Sequence, residues 1–406
     1  MLLERGPFAG SKNMYGGVVY PRILDQFHPN WWEEVPIQRW ITRRSTMVLT
    51  ATQAMTVDFR TQAWGEPPYN GATAYRPDFD HWLAGKAEAD GAVLVTSTTA
   101  LGLLRDEAGR IAGVRTDRPD GDIHADVVIA CDGVNSFLAK EADLFGPGQT
   151  EAGNYTVGVK ETIALPKDVI DERFGVRDRE GVDIEILGGT GGVNGGGFLY
   201  TNLDTLAVGV VLKLPALGAQ PRRPEEIIAD LKAHAAIAPL VEGGTIVEYS
   251  AHLIPEAGRS MMPRLTTDGM LVAGDAAAMC LAAGIWLEGV NFAMASGIYA
   301  GEAAADALRA GDTSAAGLAG YERRLGDTFV LRDHEKLRRA PGLVLSDRVQ
   351  HHYPQMIANV VERVFRVENP RPKPGFRRIV REERKRAGIG LRDLARDAWA
   401  GIRSFG

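Results

Sequence analysis

Cysteine is nearly absent: Cys131 and Cys280 are the only two in 406 residues. Two thiols cannot hold a four-thiolate iron–sulfur cluster or a zinc ribbon. They also give no disulfide framework, so a cytoplasmic, reducing compartment is expected. Long hydrophobic runs are missing too. The longest, AAAMCLAAGIWL (276–287), is too short to span a bilayer and lies between Asp275 and Glu288. No basic region followed by an apolar run opens the chain, so no signal peptide is expected. The eight histidines show no metal-ligand spacing, and no nucleophile–base pair stands out. No metal ligand and no catalytic side chain is therefore assigned. A net charge of −6 argues against general nucleic-acid binding. No internal repeat is visible. No G-x-G-x-x-G occurs in a strand–turn–helix context; GGTGGVNGGG (188–197) is glycine-rich, but no helix pattern follows it.

What is present is ordinary for a globular protein: 45% hydrophobic and 24% charged residues, in a chain long enough for two or three domains. MVLTATQAMTVDF (47–59) reads as strand, and RPDFDHWLAGKAEADG (76–91) as a helix with Asp78 as N-cap and Gly91 as its stop. AVLVT (92–96) is a short strand. Two further strands surround a turn near Ala108-Gly109. HADVVIACDG (124–133) suits a parallel strand buried on both faces, with Cys131 a buried small hydrophobe. Residues 155–215 alternate strand-like pieces with glycine turns and read as an antiparallel sheet. A helix over 224–235 and a strand over 245–255 follow. GMLVAGDAAAMC (269–280) restores the α/β character, and a small-residue helix is expected from Gly289 to Leu308, with more helix over 316–339.

Three strand ends carry chemistry. Leu2-Leu3-Glu4 resembles the end of the second strand of a dinucleotide-binding unit, where an acid accepts hydrogen bonds from a ribose; the alternative is an exposed terminal acid. The strand, turn and helix that should precede it are expected in a further segment of roughly 30 residues before Met1. VVIACDGVNS (127–136) delivers Asp132-Gly133 to a strand end, where the acid orients a ligand or caps the next turn. GMLVAGDAAA (269–278) delivers Gly274-Asp275, whose small neighbours let a flat cofactor chain approach the backbone. A helix starting at Gly289 aims its N–H groups at the same place.

The order of these motifs, with R-x-x-F-D-x-W-L (Arg76 to Leu83) between the first and second, resembles the glutathione-reductase-type FAD fold. Within it, LLERGPFAGSKN (2–13), GVRTDRPDGDIHADVVIACDGVN (113–135), VIDERF (169–174), GFLYTN (197–202), YSAHLIPEAG (249–258), VAGDAA (272–277) and EGVNFAMASG (288–297) carry a closer resemblance to the FixC family. That family is related to electron-transfer-flavoprotein:quinone oxidoreductases and to geranylgeranyl reductases. The resemblance runs from residue 2 to at least 310. It implies an α/β fold with an α+β insertion: an FAD-binding parallel sheet over 1–150 and 260–345 without its first βα unit, an antiparallel-sheet substrate or partner domain over 151–259, and a basic helical segment over 346–406. It implies FAD as cofactor. Glu4 and Arg5 would meet the adenosine half, Arg76 the central part, Gly274 and Asp275 the ribityl or pyrophosphate region, and Gly289, Val290 and Asn291 the pyrimidine edge. Asp132 and Gly133 would complete the cofactor site. The loop Gly10, Ser11, Lys12, Asn13 would approach the flavin or a partner. An electron-transferring flavoprotein is the implied donor. The acceptor would be a ferredoxin-like subunit, since this chain has no four-cysteine set of its own, or a quinone. A geranylgeranyl-reductase-like or flavin hydroxylase activity, and a truncated subunit without FAD, are the alternatives. His252 is the histidine to test first, although a structural role is the default for it.

Charge is uneven. Residues 371–406 hold eleven Arg/Lys against four Asp/Glu, a balance of +7, which leaves −13 on the first 370. LRDLARDAWAGIRSF (391–405) puts Leu391, Leu394, Ala398, Trp399, Ile402 and Phe405 at helical spacing. With the preceding FRRIVREERKR, the segment 376–405 could lie on the inner face of a membrane, dock a partner subunit, or pack on its own core.

Overall fold

Period-two alternation builds the largest element of the molecule. The computed structural model describes residues 1–13, 17–284 and 287–406, so Ile285 and Trp286 of the long apolar run lie outside the described residues. In chain order the strands are β1 (Leu2–Leu3), β2 (Gly17–Val19), β3 (Ile37–Leu49), β4 (Ala54–Arg60), β5 (Ala72–Ala74), β6 (Leu94–Val95), β7 (Ala100–Arg105), β8 (Ile111–Thr116), β9 (Ile123–His124), β10 (Val128–Ala130), β11 (Tyr155–Ala164), β12 (Glu180–Leu187), β13 (Gly195–Thr201), β14 (Thr205–Lys213), β15 (Thr245–Pro255), β16 (Thr266–Thr267), β17 (Met270–Val272), β18 (Leu281–Ala282) and β19 (Leu287–Glu288). Nine of them form one sheet in the order β15-β11-β14-β13-β12-β3-β5-β2, with β4 added on β3. Its pairings are antiparallel except β12 with β3, which is parallel. The sheet is not confined to 151–259: the long β3 carries the pairing across to β2, β4 and β5 from the first part of the chain.

The two faces of this sheet differ. The back face presents Val159 and Ile163 of β11, Val208, Val210 and Leu212 of β14, Leu199 of β13, and Val182, Ile184 and Ile186 of β12. They pack on Ile170 and Phe174 of the helix Lys167–Phe174 and on Ile227, Ile228 and Leu231 of the helix Pro224–Ala233. Each such buried side chain contributes roughly 1.5–3 kcal/mol. The alternate positions turn Lys160, Thr162, Tyr200, Asp183 and Arg44 to the front.

A second core holds the parallel strands. β10 pairs β17 in parallel, and β16 is added antiparallel. The small-residue helix Val290–Ala310 buries Ala295, Ala300, Ala303 and Ala307 in the same core as Leu271 and Val272, and Tyr321 Oη donates to Val272 O over 2.9 Å. β1 pairs β6 in parallel as a separate two-stranded sheet. β10 is the edge strand of its three-stranded sheet. Val127, Val128 and Ile129 are therefore half-buried instead of buried on both faces, and Cys131, expected inside, is exposed.

Two local expectations are corrected. Residues 47–59 form the end of β3, a turn and β4 instead of one strand. Thr50 makes the turn: its N donates to Gln53 O over 3.0 Å and its Oγ1 accepts from Gln53 N over 3.1 Å. The helix Arg76–Ala89 is capped at Tyr75, without a side-chain cap bond, and Asp78 stands in its first turn, where a carboxylate favours the helix dipole. Beyond residue 345 the chain forms the helices Tyr353–Phe365, Phe376–Arg386 and Leu391–Phe405. Among the described residues, no helix is long and apolar enough to cross a membrane.

Candidate functional site

The tip of β17 is the natural centre. Gly274 and Asp275 open a short turn at the strand end; Gly274 N donates to Ser296 Oγ over 2.9 Å, which ties the tip to the helix Val290–Ala310. That helix begins at Gly289, with no side-chain cap, so its first N–H groups remain available to an anion. Asn291 is buried; its Nδ2 donates to Glu288 Oε2 over 2.5 Å and its Oδ1 has no hydrogen-bond partner among the described residues. Burial raises the Glu288 carboxyl above its ordinary range.

β15 brings His252 to the same tip, with Nε2 3.6 Å from Asp275 Oδ2. On the front face of the sheet, Gly158 lies opposite His252, Lys160 opposite Ser250 and Thr162 opposite Glu248. Burial pushes the Lys160 ammonium down to about 7, and Arg76 acts in the same direction against the opposing charge of Glu248. Burial raises the Glu248 carboxyl, against which Lys160 and a hydrogen bond from the Thr162 side chain act, and Ser250 Oγ is buried without a hydrogen-bond partner among the described residues.

Arg76 opens the helix Arg76–Ala89 and is held by Asp80 through Nε (2.8 Å) and Nη2 (2.9 Å). The loop after β1 packs on this helix start. Gly10 has φ +90°, and a Cβ there would stand 2.7 Å from Arg76 O, so only glycine allows the approach. At the head of that loop Glu4 Oε1 accepts from Gly6 N over 2.5 Å, and Ser11 Oγ nearby is buried and unpartnered among the described residues. Arg5 is exposed. Thus Glu4 connects to Arg76 through the Gly10 loop, Arg76 to Lys160 by charge, and Lys160 to His252 and Asp275 across the sheet.

Asp132 behaves differently. Its Oδ1 accepts from Ser136 Oγ over 2.6 Å and its Oδ2 from Leu138 N over 3.2 Å, while Ser136 caps Ala139 N of the short helix Phe137–Glu141. Both carboxylate oxygens are spent on the turn, and Gly133 beside it has φ +83°. Sequence reasoning passed over Lys160, Ser250 and Glu248, and also Arg44, Asp183, Glu185 and Tyr200. A charged residue inside an otherwise apolar strand at alternate positions, as in GVDIEIL, was the signal available.

The chain matches a family model described as "FAD binding domain" over residues 45–327 and one described as "ETF-QO/FixC family C-terminal domain" over residues 341–406. It is 36% identical over 404 residues to Protein FixC of Salmonella typhimurium, covering 99% of this chain and 92% of the relative. It is 35% identical over 402 residues to the probable electron transfer flavoprotein-quinone oxidoreductase YdiS of Escherichia coli, with the same coverage of 99% and 92%. Among solved structures, a geranylgeranyl bacteriochlorophyll reductase-like protein from Thermoplasma acidophilum superposes with a TM-score of 0.70 at 18% identity, over 97% of this chain and 92% of that one. The flavin-dependent halogenase CmlS gives 0.61 at 15% identity, over 95% and 72%.

Proposed function

Since the chain belongs to the family of FixC and the electron-transfer-flavoprotein:quinone oxidoreductases, and is an FAD-dependent oxidoreductase by that membership, we propose that it takes electrons from an electron-transferring flavoprotein and passes them to a ferredoxin-like subunit or a quinone. The observation that carries this reading is the set of buried oxygens at Ser11, Ser250 and Asn291, which have no hydrogen-bond partner among the described residues and stand beside the connected groups Glu4, Lys160 and Glu288. A buried polar atom without a partner costs about 1–3 kcal/mol. A long, polar, hydroxyl-rich ligand would satisfy such a set, and FAD has that chemistry.

In this reading the fold is of the glutathione-reductase type, and the domains divide near 150, 260 and 345. Glu4 and Arg5 hold the adenosine end. Arg76, fixed in direction by Asp80, serves the central part. Asp275, with Gly274 giving backbone access and His252 beside it, binds the ribityl or pyrophosphate region. Gly289, Val290 and Asn291 meet the pyrimidine edge, where the helix N-terminus favours negative charge. Asp132 keeps the turn in shape, and Gly133 leaves it open to a ligand. FAD, when bound, supplies the redox chemistry, and the protein's part is to orient it and set its electrostatics. The basic helices after residue 375 lie at the protein surface and would bring the site to an anionic membrane.

Titrating the full chain with FAD and following flavin absorbance and fluorescence tests this. Stoichiometric binding is expected, and Asp275→Ala should weaken it about tenfold, or about 1.4 kcal/mol. A chain that binds no FAD would overturn the reading. Reduction of the bound flavin by NAD(P)H alone would favour a substrate-directed reductase or hydroxylase instead.

A further inference from the structure

Three strands away from Lys160, the front face of the large sheet sets one half-buried cation against two buried anions. Asp183 and Glu185 stand at alternate positions of β12, so both project to the same side. Arg44, opposite Asp183 in the parallel register with β3, holds them together: Nε lies 3.0 Å from Asp183 Oδ2, and Nη2 donates to Glu185. Asp183 Oδ1 is buried and has no hydrogen-bond partner among the described residues. Among the described residues, the other titratable groups that act on the cluster are Tyr200, opposite Asp183 on β13, Tyr20 after β2, and Glu288 before the helix Val290–Ala310. None of these is a second cation. With both carboxylates ionised the cluster would keep one uncompensated negative charge out of water, at a cost of several kcal/mol. Burial accordingly raises both carboxyls above their ordinary range, and it keeps both tyrosines neutral. Asp183 Oδ1 gives a proton a place to sit.

The location matters as much as the charge. The turn Pro21–Gln26 that follows Tyr20 packs on the helix Val290–Ala310. Glu288 acts on Tyr20, and Arg44 acts on Glu288. The cluster therefore stands beside the segment Glu288–Asn291, to which the proposed function assigns the pyrimidine edge of FAD, and its role in proton uptake rests on that assignment.

The geometry points to the Arg44–Asp183–Glu185 cluster as a redox-linked proton site, which holds one proton while FAD is oxidised and takes a second from solvent as FAD is reduced. Two electrons arrive from the reduced flavin of an electron-transferring flavoprotein. One proton from solvent forms an N–H bond on the ring, leaving FAD with one extra negative charge. A second proton forms an O–H bond on the remaining carboxylate, so the cluster gains the compensating positive charge. On reoxidation both electrons leave for the acceptor, and both protons return to solvent. The cluster thus acts on FAD through charge, as a positioning group for protons, without touching the electrons.

The test counts protons. The FAD-loaded full chain is reduced anaerobically in weakly buffered solution at neutral pH with a pH indicator, alongside the double variant Asp183→Asn/Glu185→Gln. The wild type should take up as much as one proton more per electron pair than the double variant, which has no carboxylate left in the cluster to protonate. Equal counts overturn the proposal and leave the function standing, whereas a chain that binds no FAD overturns both. Infrared spectra of the FAD-free chain give a second reading. A protonated carboxyl band at neutral pH is expected in the wild type and lost in the double variant, and its absence from the wild type overturns the proposal even if the variant fails to fold.

Discussion

Lys160 sets the sharpest condition at the scale of a single residue. Its side chain is buried, and desolvation holds its ammonium at about 7, below its ordinary range. A folded-state value below the unfolded one means that the stability linked to this group is complete above the ordinary lysine range, falls away as pH drops from that range to about 7, and is gone below it. Lys160→Met, similar in length and uncharged, should therefore flatten the profile between about 7 and the ordinary lysine range, by on the order of a few kcal/mol across that window. Urea midpoints of the FAD-free chain across a pH series would measure this; parallel profiles for the two proteins would refute it. Residues of this kind were hard to read from sequence. Asp275 and Asn291 were visible because a recognisable strand end and helix start announce them. Lys160 sits in TVGVKETIAL, where alternation alone cannot say which face meets a ligand and which meets solvent.

At the scale of elements, the strongest signals were those with strict periodicity. The strand 245–255 and the parallel strand before Asp132 stand where alternation and apolar runs place them, because those patterns are the physics of sheet burial. The Thr50 turn was missed since one hydroxyl and a short polar stretch carry no periodicity. The last helix was legible in outline only. Its stripe is split: Phe405 packs against the core, while Leu391, Trp399 and Ile402 are 71%, 60% and 63% exposed. Arg392, Arg396 and Arg403 stand on the same helix. We propose that this surface contacts anionic lipid, through apolar area and charge together. Trp399→Glu with Ile402→Glu should abolish co-sedimentation with vesicles containing anionic lipid while leaving the FAD spectrum unchanged. Equal binding of the wild type to neutral and anionic vesicles, or binding by the double variant, would count against a lipid contact.

At the scale of the whole molecule, hydrogen bonds around Gln350 and Asn194 help fasten the C-terminal segment to the large sheet. Gln350 Oε1 accepts from Gly195 N over 2.9 Å, its Nε2 donates to Val344 O over 2.8 Å, and Asn194 Nδ2 donates to Leu345 O over 3.0 Å. Gln350→Ala strips partners from the buried Gly195 N–H and the half-buried Val344 carbonyl and should cost about 1–3 kcal/mol. A lower urea midpoint together with faster amide exchange at Gly195 is the expected result, and unchanged exchange would show that the fastening lies elsewhere. No local pattern in the sequence foretold this long-range contact, whose partners lie 155 residues apart. The two-faced sheet has one more effect, on how this chain can vary over generations. Its strands tolerate exchange of one residue for another but not a change in length by one. Dropping a single position in β12 would swing Asp183 and Glu185 into the oily layer under the helices and push Val182 and Ile184 out to the front face. Descendants of this chain should thus accumulate gaps in the loops between strands and almost none inside them.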